Sequence, residues 1–114
     1  MNTSYDAYVT AALFDRHGKA AFALGDGTVR FEDGTIAAAH KGVALSACLH
    51  PSGEGVLTGG DDGVVAWSRG ADVTEIARIP GRWIESVAAS AESKLIAFAA
   101  GVACLDALRA ATGA

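Results

Sequence analysis

The chain has 114 residues, 51% of them hydrophobic and 19% charged, and its nine Lys and Arg against thirteen Asp and Glu give a formal charge of −4. Such a chain can close one core and is too apolar to be a disordered segment, and its acidic balance leaves no broad basic surface for nucleic acid. Met1-Asn2-Thr3-Ser4-Tyr5-Asp6 lacks a basic region followed by an apolar run, and no apolar stretch approaches the roughly 18 residues that cross a bilayer, so no membrane contact and a cytoplasmic location are expected.

In chain order, short β-branched and aromatic segments bounded by turn residues predict strands at about 7–14, 20–24, 28–32, 35–40, 44–50, 55–59, 64–68, 73–79, 84–90, 94–99 and 102–106. Asp-Gly pairs at 26–27, 33–34 and 62–63 suit tight hairpin turns, because glycine accepts a positive φ without steric cost. Leu105-Asp106-Ala107-Leu108-Arg109-Ala110-Ala111 is the one stretch with helical propensity, enough for one or two turns.

The strands repeat. Phe14-Asp15-Arg16-His17-Gly18-Lys19, Leu49-His50-Pro51-Ser52-Gly53-Glu54 and Ala89-Ser90-Ala91-Glu92-Ser93-Lys94 are similar turns, with Gly18 to Gly53 spanning 35 residues and Gly53 to Ser93 spanning 40. A second landmark follows each: Gly25-Asp26-Gly27, Gly60-Asp61-Asp62-Gly63 and Ala99-Ala100-Gly101. Four residues beyond each last glycine stand Phe31, Trp67 and Leu105. Two landmarks at one period imply copies of a four-stranded antiparallel unit: repeat 1 at about 7–40, repeat 2 at about 41–80, a truncated repeat 3 at about 81–106 and a tail at 107–114.

Repeat 2 carries a family resemblance. Ala39-His40-Lys41-Gly42-Val43, then Ala47-Cys48-Leu49-His50-Pro51-Ser52-Gly53, then Val56-Leu57-Thr58-Gly59-Gly60-Asp61-Asp62-Gly63-Val64-Val65-Ala66-Trp67-Ser68 resembles the order of landmarks in WD-repeat β-propellers. The resemblance implies an all-β fold of four-stranded antiparallel blades, here a partial propeller of about two and a half, working as a non-catalytic protein-interaction scaffold. It also implies a structural network of His40, Thr58, Asp62 and Trp67 within the blade. Ser68 replaces the signature aspartate, and the strand leading to Trp67 is one residue shorter than the commonest pattern, which leaves Asp61 as an alternative to Asp62. Repeat 1 has Phe22 and Phe31, and repeat 3 has Ala100, where network residues would fall.

A closed propeller needs four to eight blades, so the partners expected are further blades or copies of this chain, together with a protein of unknown identity. Arg78-Ile79-Pro80-Gly81-Arg82-Trp83 is the candidate contact: a 40-residue offset aligns Trp83 with Val43, and Arg and Trp dominate interface hot spots. The competing reading has Trp83 filling a gap between blades. Cys48 and Cys104 sit in apolar runs and read as small buried hydrophobes. Cys48, His50 and His17 lack the paired spacing of a metal site, so neither metal nor cofactor is expected. No Gly-x-Ser-x-Gly elbow or dinucleotide loop is present, so no catalytic residue is assigned. Val102-Ala103-Cys104-Leu105-Asp106 faintly resembles a quinoprotein blade, which keeps a fragment of a propeller dehydrogenase as the rival function.

Overall fold

Period-2 patterning and Gly-rich turns give eleven strands and no helix among the described residues, which in this computed structural model are 7–100 together with the backbone of 104–109. The strands are β1 (Val9–Phe14), β2 (Ala20–Leu24), β3 (Thr28–Phe31), β4 (Ile36–Ala38), β5 (Ala44–Leu49), β6 (Val56–Gly60), β7 (Val64–Arg69), β8 (Asp72–Arg78), β9 (Ile84–Ser90), β10 (Leu95–Ala100) and β11 (Cys104–Arg109). Each pairs antiparallel with its sequence neighbour. Sheet 1 has the order β1-β2-β3-β4, sheet 2 the order β5-β6-β7-β8 and sheet 3 the order β11-β10-β9, and none closes on itself.

The turns explain why the strands stop where they do. Gly27 and Gly63, at φ 85° and 78°, follow turns closed by hydrogen bonds from Gly27 N–H to the Leu24 carbonyl and from Gly63 N–H to the Gly60 carbonyl. A Cβ at Gly27 would fall on the His40 and Gly42 carbonyls, so the turn packs directly against the chain leading into sheet 2.

The three sheets also share an irregularity. Each first strand carries one extra residue at its second position: Thr10 between Val9 and Ala11, Leu45 between Ala44 and Ser46, and Glu85 between Ile84 and Ser86. These β-bulges are 35 and 40 residues apart, the spacing of the sequence landmarks. The first strands are neighbours, β1 against β5 and β5 against β9. The Thr10 hydroxyl reaches the Ala44 carbonyl at 2.5 Å and the Ala23 carbonyl at 3.0 Å, which ties the bulge of sheet 1 to the start of sheet 2.

Side-chain alternation then assigns the faces. Ala21, Val29, Ala37 and Ala39 of sheet 1 and its connection pack on Val56, Val64 and Ala66 of sheet 2. The next residues along the same two strands, Leu57, Val65 and Trp67, point the other way and pack on Ile84, Ile96, Phe98 and Ala100 of sheet 3. Sheet 2 is covered on both faces, and every residue of β6 is buried. The outer faces of sheets 1 and 3 are different: Phe14, Ile36 and Leu95 are exposed, Phe14 by 68%.

One expectation is corrected. The helical stretch beginning at Leu105 is strand up to Arg109, so the repeat runs past the predicted boundary at 106; Ala110 and Ala111 lie outside the described residues. Pairing decides it, because every residue of β10 from Leu95 to Ala100 has a partner on β11 between Arg109 and Cys104. An edge of backbone donors and acceptors outweighs the few tenths of a kcal/mol per residue by which Ala and Leu favour helix.

Leu57 is fully buried between sheets 2 and 3. Leu57→Ala should therefore lower the unfolding free energy by about 2–5 kcal/mol in urea titration. A loss below about 1 kcal/mol would mean that the two sheets do not pack on this side chain.

Candidate functional site

Three predicted residues meet at the end of the molecule where β1, β5 and β9 begin. His40, in the connection from β4 to β5, has a fully buried side chain. Its Nδ1 lies 3.0 Å from Asp62 Oδ1 and its Nε2 lies 2.7 Å from Thr58 Oγ1. An ionised carboxylate only accepts, so Nδ1 carries the proton and, in the neutral ring, the Thr58 hydroxyl donates to Nε2. Asp62 also accepts from Lys41 N–H at 3.1 Å and Val64 N–H at 3.2 Å. Burial alone would push its carboxyl up, yet these backbone donors and His40 outweigh that and hold it below the ordinary value. A Cβ on Gly60 would land on the His40 ring and the Asp62 carboxylate, which explains a glycine inside a buried strand.

Trp67 does not join this group. Its indole N–H donates to the Glu54 carbonyl at 2.8 Å, at the opposite end of sheet 2. Thr58 pairs with Ala66 and Leu57 with Trp67, so Thr58 and Trp67 point to opposite faces of the sheet. The strand one residue short is the cause, because a slip of one residue inverts a side chain. Trp67 stacks on His50 instead, with ring centroids 3.7 Å apart and planes 11° apart, and the Arg69 guanidinium lies 4.2 Å from the indole centroid. Asp61, the alternative anchor, accepts from Val43 N–H at 2.9 Å and has no bond to His40.

Arg82 and Trp83 lie at the same end as His40. Pro80 and Gly81 form the middle of a turn closed from Arg82 N–H to the Ile79 carbonyl at 3.3 Å, with Gly81 at φ 76°, a type II arrangement. The turn rests on Gly63, where a Cβ would sit 2.9 Å from the Arg82 carbonyl oxygen. Arg82 is exposed and Trp83 is 59% exposed, so Trp83 does not fill a gap between sheets.

Sequence reasoning missed Tyr8. With the bulges aligned, the residues just before the first strands are Tyr8, Val43 and Trp83, at the repeat spacing of 35 and 40. The first two make the same bond: Gly25 N–H donates to the Tyr8 carbonyl at 2.8 Å and Asp61 N–H to the Val43 carbonyl at 3.0 Å. Tyr8 is exposed, with its ring against Gly25, and Val43 is half-buried. The 35-residue spacing from Gly18 to Gly53, counted back from Val43, was the available signal.

Little else offers chemistry. A cleft of about 600 Å³ opens between sheets 1 and 2 at the opposite end, floored by Phe31, Val56 and Trp67. Its carboxylates serve the fold: Asp15 takes the His17 and Lys19 N–H groups, Glu32 takes Ala20 N–H and Glu54 pairs with Arg16. Burial pushes the Cys48 thiol up to about 11, so it stays protonated at neutral pH. Among the described residues no three His, Cys, Asp or Glu side chains gather as a metal site. No protein-family model and no curated protein matches the chain.

Because Asp62 is depressed in the folded state, its contribution to stability is present above the unfolded carboxylate range and is lost as pH falls through the folded value. Asp15, Asp26 and Asp33 are depressed as well, so urea titrations from pH 7 to pH 2 should show a smaller fall in stability in Asp62→Asn than in the wild type, with the variant about 1–2 kcal/mol less stable at pH 7. In Trp67→Phe the downfield Nδ1–H proton resonance of His40 should persist; its disappearance there would place Trp67 back in the network.

Proposed function

We propose that this chain is a section of a WD-repeat-like β-propeller and acts as a non-catalytic platform that grips another protein at the end where β1, β5 and β9 begin. Three features support the propeller reading. The sheets are successive antiparallel units with the bulge in one place, their first strands are neighbours, and equivalent faces meet: the face of sheet 1 bearing Ala21 covers sheet 2, and the face of sheet 2 bearing Leu57 covers sheet 3. Further blades, or copies of the chain, would cover the outer faces that bear Phe14, Ile36 and Leu95.

The platform reading rests on one observation. Trp83, the largest side-chain type, is 59% exposed directly after a Pro-Gly turn, beside Arg82. Exposing that much apolar area on a rigid turn is unfavourable in an isolated protein and favourable where a partner covers it. No membrane-spanning role falls to a helix, since none among the described residues is long and apolar enough.

Affinity capture from the native cell with the full-length product tests the platform. Trp83→Ala should deplete the bound partner at least tenfold and Arg82→Ala several-fold, with thermal melts unchanged. Equal capture by wild type and both variants would remove the proposed contact patch.

A further inference from the structure

Each sheet has a leading face, toward the sheet before it, and a trailing face, toward the sheet after it. In sheet 2 the leading face bears Thr58 and Ala66 and meets sheet 1, and the trailing face bears Leu57, Val65 and Trp67 and meets sheet 3. The repeat assigns the uncovered faces. Phe22 precedes Thr58 by the 36-residue spacing of Gly27 and Gly63, so the outer face of sheet 1 is its leading face. Ala97 follows Leu57 by the 40-residue spacing of Gly53 and Ser93, so the outer face of sheet 3 is its trailing face.

The two uncovered faces are complementary in size. Strand pairing puts Phe14, Phe22, Arg30 and Ile36 together on the leading face of sheet 1, with the Arg30 charge met by Asp26 at 3.1 Å. On the trailing face of sheet 3, β9 and β10 present Ser86, Ala88, Ser90, Leu95, Ala97 and Ala99. Phe14, Ile36, Ala88 and Ala97 are exposed. Large side chains facing small ones interdigitate without collision or void. We propose that the trailing face of sheet 3 packs on the leading face of sheet 1 of a second copy, and that two copies close a ring of six sheets. This contact continues an order already made twice within the chain, trailing face on leading face and first strand beside first strand. With three sheets per chain, two copies stay within the four to eight blades of a propeller and three copies exceed it. β9 of one copy then neighbours β1 of the other, which sets Tyr8 of the second copy next to Trp83 and carries the row of Tyr8, Val43 and Trp83 around the ring. The proposal rests on the propeller reading and names the partner that covers its open faces.

Sedimentation equilibrium of the full chain tests the ring, and the mass should fit two chains. Phe14→Arg on sheet 1 and Ala97→Arg on sheet 3 each put an unpaired charge into both contacts of the ring, so each should raise the dimer Kd at least about 100-fold. An equimolar mixture of the two variants regains one contact between unsubstituted faces. It should dimerise more tightly than either variant alone and more weakly than the wild type. A wild-type monomer at about 100 μM, an assembly of three or more copies, or a dimer that survives either substitution would overturn the proposal. So would absence of rescue between variants that keep the wild-type circular dichroism. Amide exchange separates this proposal from the reading beneath it. Faces between copies part on dilution and those within a chain do not, so β6 and β7 should exchange more slowly than β2, β3 and β10 in the dimer and in the monomeric variants. A monomeric wild type with that order removes the ring and keeps the stacked sheets, whereas a monomer without it removes both.

Discussion

The structure depends on one requirement: a four-stranded sheet with apolar side chains on both faces must be covered on both. Sheet 2 meets it. Its alternating residues Val56, Val64 and Ala66 go to one neighbour and Leu57, Val65 and Trp67 to the other, so a single β-strand period divides the core into two layers. Sheets 1 and 3 meet the requirement on one face only. Their outer faces are the same kind of surface, which is why the proposed function places further blades or further copies against them.

The second constraint is local and polar. A buried imidazole needs partners for both nitrogens, and His40 finds them on β6 and on the turn after it. Asp62 thereby fixes the connection between sheets 1 and 2 to the turn between β6 and β7, and Gly60 and Gly63 leave room for the chain to come close. The same turn is the floor on which Arg82 rests. These internal bonds hold in place the turn that presents Arg82 and Trp83.

Much of this was legible in the residues. The first ten strands were, because period-2 alternation and Asp-Gly turns are local signals that the pairing reinforces. The clustering of His40, Thr58 and Asp62 was legible through the resemblance of one repeat. Trp67 was not, although the cause stood in the sequence: with one residue fewer between Asp62 and Trp67, the indole goes to the other face of the sheet. Position Leu105–Arg109 was misread because helix propensity is local, whereas its partner β10 becomes visible only once the sheet is assembled. Tyr8 escaped notice because the offset of 40 that aligns Trp83 with Val43 was not followed by the offset of 35 that separates the first two repeats; the bulges at Thr10, Leu45 and Glu85 make the match plain.

Residue-resolved amide hydrogen exchange tests the stacked arrangement most directly. Exchange from a sheet covered on both faces requires separating two apolar interfaces, and from a sheet covered on one face only one. The account predicts that the paired amides of β6 and β7 exchange more slowly than those of β2, β3 and β10. Equal or faster exchange in β6 and β7 would contradict it.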